Sequence, residues 1–117
     1  MVAMVVDRPS FAGEAIDANH LARMTLGELS LQREVLALFD RQADVLLPRI
    51  RRGAPPLAAT LAHTLKGSAV SIGAFKVARA AEAVEQAQGQ QAAADAIDML
   101  AAVLEEAKAE IARLLAG

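Results

Sequence analysis

The sequence predicts an all-α fold, an antiparallel up-down-up-down four-helix bundle with a short amino-terminal capping helix, and three observations predict it. Apolar residues recur at steps of three and four, and nowhere alternate as in a half-buried strand. Breaks rich in glycine and proline, at 53–56, Gly73 and Gly89, separate the periodic stretches. Apolar residues make up 55% of the 117-residue chain while aromatics are only 3%, with no tryptophan or tyrosine. That balance favours helices packed closely through alanine, and the length suits one domain with one core.

Residues 1–13 read as a loose leader, because Pro9, Ser10 and Gly13 interrupt any periodic pattern, and the domain proper is expected over 14–117. A short helix follows, with Asp17 as its cap and Ile16, Leu21 and Met24 as apolar contacts, ending near Gly27. The first long helix starts near Leu29 or Ser30. Its stripe is Leu31, Val35, Leu38, Val45 and Ile50, widened by Phe39 and Leu46 and interrupted by Gln42. Pro48 removes a backbone hydrogen bond and crowds the carbonyl four residues back, so a kink or an early end is expected there. Arg49, Arg51 and Arg52 suit a helix carboxyl end.

The second long helix runs from Pro56 or Leu57 to Ile72, with Gly73 to stop it. A third spans about 75–88 and is closed by Gly89. The fourth runs from Gln91 or Ala92 to Leu115, and its Ile97, Leu100, Leu104, Ala107, Ile111 and Leu114 form the seam of an antiparallel bundle.

Composition excludes several function classes. A net charge of −2 with mixed signs and few aromatics gives no footprint for nucleic acid. Zero cysteines exclude disulfides and thiolate metal sites, in keeping with a cytoplasmic location. The opening Met-Val-Ala-Met-Val-Val is too short for a membrane span, and without a basic stretch before it is no signal peptide.

The chemistry concentrates at His63. At about 100° per residue, with His63 at zero, Leu61, Leu65 and Ile72 fall at roughly 160°, 200° and 180°, flanked by Ala58 and Ser68. The core face therefore lies behind the histidine. Lys66 stands about 60° to one side and Gly67 about 40° to the other, and Ala59, Thr60 and Val70 complete the exposed neighbourhood. An imidazole that accepts a phosphoryl group needs exposure, a cation and room for a donor, and His63, Lys66 and Gly67 supply one each. A mid-helix glycine costs about 0.5–1 kcal/mol relative to alanine, and here it clears bulk beside the ring. The imidazole also needs its other nitrogen held. An antiparallel hairpin about residue 74 sets His63 level with Glu85, Lys66 with Glu82, and Gly67 with Ala81. Val77, Ala81 and Val84 mark the apolar face of the third helix, with Glu85 on its flank.

The stretch Leu-Ala-His-Thr-Leu-Lys-Gly-Ser-Ala from Leu61, then Ile-Gly-Ala, then Ala-Val-Glu-Gln-Ala-Gln-Gly ending at Gly89, resembles the histidine-containing phosphotransfer (HPt) domain. The likeness extends over about 14–115. The resemblance implies a four-helix bundle with His63 as the phosphorylated residue, Lys66 as the stabilising cation and Gly67 as the clearance for a docking receiver domain. It also implies a polar or acidic partner of the histidine on the next helix, where Glu85 falls. Many relatives carry more basic residues before the histidine and after the Glu85 position, where this chain has Ala58, Ala59, Thr60, Gln86 and Gln88. Neutralisation of phosphate should therefore rest largely on Lys66. Serine is common where Ala69 stands.

Plainer roles compete for each residue. His63 has the alternative of an ordinary surface histidine, Lys66 of a solvated lysine, Gly67 of a packing glycine against Ala81, and Glu85 of an exposed helix carboxylate. His20 has no supporting neighbours and is read as incidental. Two histidines on different helices make a poor metal site, Ser68 projects coreward and cannot meet His63, and no glycine-rich ATP loop is present. The expectation is a phosphorelay carrier with no cofactor of its own. His63 is charged by a receiver aspartyl phosphate or by a histidine or hybrid kinase, and the receiver brings magnesium. The alternative is an unphosphorylated bundle that sequesters a receiver or mediates dimerisation.

Overall fold

The computed structural model describes residues 14–117, so the leader expected over 1–13 lies outside the described residues. Among the described residues five helices follow one another: α1 (Ala18–Met24), α2 (Leu29–Arg52), α3 (Pro55–Ile72), α4 (Phe75–Gln86) and α5 (Gln90–Ala116). No strand occurs among the described residues.

Asp17 caps α1, its carboxylate accepting from the His20 amide at 3.0 Å. The helix stops at Met24 rather than near Gly27. Thr25 Oγ1 donates back to the Leu21 carbonyl at 2.8 Å, and Leu26 and Gly27 turn the chain with φ of 54° and 74°. Ile16 and Leu21 are buried as expected, but Met24 is exposed because the turn carries it off the core.

The helix α2 begins at Leu29, capped by Glu28 through the Ser30 amide. It does not end early at Pro48. The proline is exposed, and Leu46 and Ile50 anchor the turns on either side of it in the core, so the one missing hydrogen bond does not break the helix. The buried stripe is Leu36, Phe39, Ala43, Leu46 and Ile50. The expected Leu31, Leu38 and Val45 lie instead on a second stripe, exposed to solvent and about 120° away.

Gly73 stops α3 in the left-handed region at φ 81°, its amide returning to the Val70 carbonyl at 3.1 Å and that of Ala74 to Ala69 at 2.8 Å. The third long helix ends at Gln86, two residues short of expectation, with Ala87 as its cap. Gly89, at φ 96°, instead opens α5. The α5 seam packs as expected: Leu100, Leu104, Ala107 and Ile111 are buried, joined by Val103, while Ile97 and Leu114 are half-buried against the core.

Consecutive long helices pack on one another, α5 closes the bundle against α2, and α1 lies on α3. Contacts along the α2–α5 seam run in opposite directions on the two helices. The Arg33 guanidinium donates to the Leu115 carbonyl at 2.6 Å, Lys108 sits between Asp40 (2.6 Å) and Asp44 (2.7 Å), and Arg51 meets Asp98 at 3.2 Å. Phe39, Ile50, Leu65, Leu100, Leu104 and Ile111 fill the centre, and alanines at 62, 69, 81 and 107 bring the backbones close. No described helix is long and apolar enough to cross a membrane.

Candidate functional site

The site grows from the phase of α3. Ala58, Leu61, Ala62, Leu65, Ala69 and Ile72 are buried, which turns His63 outward with its side chain 69% exposed. Across the Gly73 turn, α4 buries Val77, Ala81 and Val84 and leaves Glu85 on the flank facing α3. His63 Nδ1 and Glu85 Oε2 meet at 2.7 Å. The tight turn fixes the register of the hairpin, so this contact follows from chain length and helix phase.

The Lys66 ammonium lies 2.9 Å from Glu85 Oε1. The expected level pairing with Glu82 is not formed: Glu82 is exposed and accepts from Gln86 Nε2 at 3.1 Å. A lysine stem spans more than one helical turn, so equal height does not select its partner. Glu85 thus bridges both α3 residues. The bond from Lys66 holds its carboxyl below the ordinary carboxylate range against the opposing effect of burial, and the bond from His63 adds to the lowering. In turn, the Glu85 hydrogen bond raises Lys66, with a smaller contribution from the charge of Glu82.

A carboxylate held ionised only accepts hydrogen bonds. The His63 Nδ1 therefore carries the proton and donates it, and in the neutral ring Nε2 has the free lone pair. A neutral imidazole with this tautomer is a nucleophile at Nε2, beside a cation already balanced by one carboxylate.

Gly67 is exposed, and a Cβ built on it meets nothing within 4 Å. The expected close packing against Ala81 is therefore absent; Ala81 is fully buried. Thr60 is exposed, its hydroxyl donating to the Pro56 carbonyl at 3.0 Å, Ala59 is half-buried, and Val70 is 42% exposed. Sequence reasoning missed the groove beside Val70, where Phe75 and Arg79 of α4 join Lys66 and Glu82. Its one legible signal is the hairpin register, which sets Val70 level with Ala78. A second cation, Arg79, thus lines the same groove as Lys66.

The other residues weighed from sequence lie apart from this arrangement. His20 packs edge-on against Phe75, with ring centroids 5.0 Å apart. Ser68 is half-buried and Ser71 Oγ returns to the Gly67 carbonyl at 3.1 Å. No group of three or more metal-binding side chains occurs among the described residues.

Compared with known protein families, the chain matches the Hpt domain over residues 20–117. No curated protein and no solved structure matches it.

Proposed function

The chain belongs to the Hpt domain family, and on that premise we propose that it is a phosphorelay carrier whose phosphoryl acceptor is His63. The observation that carries this reading is the 2.7 Å contact between His63 Nδ1 and Glu85. It accounts for the tautomer a nucleophile needs while Nε2 faces solvent.

In the proposed exchange, the Nε2 lone pair attacks the phosphorus of a receiver's aspartyl phosphate in line. The N–P bond forms as the P–O bond to the aspartate breaks, and the aspartate leaves as a carboxylate. The Nδ1 proton stays on the ring, donated to Glu85, whose negative charge stabilises the developing imidazolium. Lys66 balances the equatorial oxygens as a flexible point charge. Transfer onward reverses these steps. A histidine or hybrid kinase is the alternative donor, and magnesium belongs to the receiver. The exposed faces of α2 and α3 around Ala59, Thr60, Gly67 and Val70 seat the receiver, on an antiparallel up-down four-helix bundle capped by α1. Such partners place the protein in the cytoplasm.

The test mixes the chain with a phosphorylated receiver and follows intact mass and acid lability, for wild type and His63→Gln. A gain of one acid-labile phosphoryl group that requires His63 is expected. Binding without any gain across a panel of receivers would replace this reading with the sequestering module.

A further inference from the structure

On the reading that a receiver domain docks at His63, we propose that its footprint crosses onto α4, where the groove between α3 and α4 takes an apolar side chain of the receiver with a carboxylate beside it. Arg79 is the residue that reads that carboxylate and so helps to select among receivers. The groove holds about 360 Å³ and is lined by Lys66 and Val70 of α3 and by Phe75, Ala78, Arg79 and Glu82 of α4. Position argues for the receiver as its occupant. Val70 follows His63 by seven residues, which puts it about 10 Å further along α3 and within about 20° of the same direction. Arg79 is level with Ala69, about 9 Å along the bundle and one helix spacing, about 8–10 Å, to the side. A receiver that brings its aspartyl phosphate to Nε2 is centred near His63, and a standard interface of about 800 Å² per partner reaches roughly 15 Å from its centre. The groove therefore falls inside the footprint.

Charge and apolar surface are unevenly divided along it. At the end nearer His63, the Lys66 ammonium meets Glu85 at 2.9 Å and also feels, more weakly, the charge of Glu82. That end has no surplus cation to offer a partner's carboxylate. At the other end the exposed Arg79 stands near Val70, 42% exposed, and half-buried Phe75, with the buried Ala78 between them. The His20 ring packs edge-on against Phe75, with centroids 5.0 Å apart, so α1 braces the aromatic wall of the groove. An aromatic and an aliphatic side chain fringed by an arginine have the composition of an interface anchor. The next groove, between α4 and α5 with Ala80, Ala83, Met99 and Val103, begins on the far side of Arg79, which makes this residue the outer rim of the proposed footprint.

The test uses the receiver domain that binds the full chain most tightly in a panel, first against His63→Gln, in which docking is read without transfer. On adding the receiver, amide shifts should move at Phe75, Ala78 and Arg79 as well as on α2 and α3. Arg79→Glu should weaken binding roughly fivefold to tenfold, Arg79→Lys about twofold or less, and Arg113→Glu, the same charge reversal on α5, should leave it unchanged. Reversing one acidic residue of the receiver to arginine should restore binding to Arg79→Glu while weakening binding to the chain that keeps Arg79. With His63 in place, Arg79→Glu should raise the KM for the phosphorylated receiver and leave kcat as it was. Shift changes confined to α2 and α3, or an Arg79→Glu chain that binds no more weakly than Arg113→Glu, overturn the proposal and leave the role of His63 where it stands. A receiver that docks across α4, with the Arg79 dependence intact, but transfers nothing to wild type overturns the carrier reading and supports the groove. A panel in which no receiver binds overturns both.

Discussion

Lys66 and His63 do not act on Glu85 independently: one carboxylate takes the ammonium at 2.9 Å on Oε1 and the imidazole at 2.7 Å on Oε2. The cation that would neutralise an incoming phosphoryl group is thus the same one that keeps the histidine's acceptor ionised. On the proposed reading, a phosphoryl group on Nε2 would give Lys66 a second anion to balance besides Glu85.

Replacing Lys66 with methionine should therefore change two observables. Phosphoryl acceptance should slow roughly tenfold, since the charge-assisted contact to the phosphoryl oxygens is lost. The Glu85 titration should also move up toward the ordinary carboxylate range, because the bond from Lys66 is the largest influence lowering it. Carbon-detected titration of the Glu85 carboxyl reads this directly; an unmoved midpoint would show that the ion pair does not persist in solution.

The same coupling has a sign in stability. Glu85 has a lower affinity for protons in the folded chain than in the unfolded one, so its contribution is present above the unfolded carboxylate value and is lost as pH falls through the lowered folded value. Wild type should lose stability more steeply than Lys66→Met over that acidic interval. Denaturant midpoints measured from neutral pH down to about pH 3 check the slope, and parallel curves would count against the pairing.

Glu85→Gln keeps an acceptor for the Nδ1 proton but removes the charge, whereas Glu85→Ala removes both. A hydrogen bond to a charged group is worth about 1.5–3 kcal/mol, so the alanine variant should lose on the order of tenfold to a hundredfold in transfer rate and the glutamine variant less. Glutamine also offers an NH₂ that can donate to Nδ1, which would favour the wrong tautomer. Nitrogen shifts of the His63 ring should show the Nδ1-protonated form in wild type and a mixture in Glu85→Gln. A wild-type ring protonated at Nε2 would defeat the mechanism.

The hairpin that brings these residues together depends on Gly73. Its φ is 81°, and a Cβ there would lie 2.8 Å from the Asp17 carbonyl oxygen and 3.2 Å from its backbone nitrogen. That nitrogen donates to the Gly73 carbonyl at 2.9 Å, so the turn is also the seat of α1. Gly73→Ala should cost more than the roughly 1–2 kcal/mol of the left-handed conformation alone. Gly27→Ala is the control, at φ 74° with nothing within 4 Å of its Cβ. Equal losses in thermal midpoint would mean that α1 contributes nothing at Gly73.

Which parts of this were legible in the sequence follows from what each depends on. The ends of α3 and the register of the hairpin depend on Gly73 and on helix geometry, both local, and so the meeting of His63 and Glu85 could be anticipated. The phase of α2 could not, because two stripes compete along it. Leu31, Leu38 and Val45 are bulkier than Ala43, yet Ala43 faces the core, a choice made by how closely neighbouring helices approach rather than by hydropathy. The partner of Lys66 was misassigned for a different reason, the reach of its side chain. The groove holding Phe75 and Arg79 carries no motif and becomes visible only when α3 and α4 are set side by side.

Gly67 separates stability from function. It lies in the interior of α3, where glycine costs about 0.5–1 kcal/mol relative to alanine, and its missing Cβ would meet nothing of this chain within 4 Å. Gly67→Ala should therefore raise the thermal midpoint by a few degrees. If the clearance serves a receiver, the same substitution should weaken docking and raise the KM for a phosphorylated receiver while leaving the His63–Glu85 contact intact, and a larger side chain should extend the loss. A variant that is both more stable and equally good in transfer would remove docking as the reason for a glycine here. One that is less stable would show that α3 needs the glycine for its own backbone.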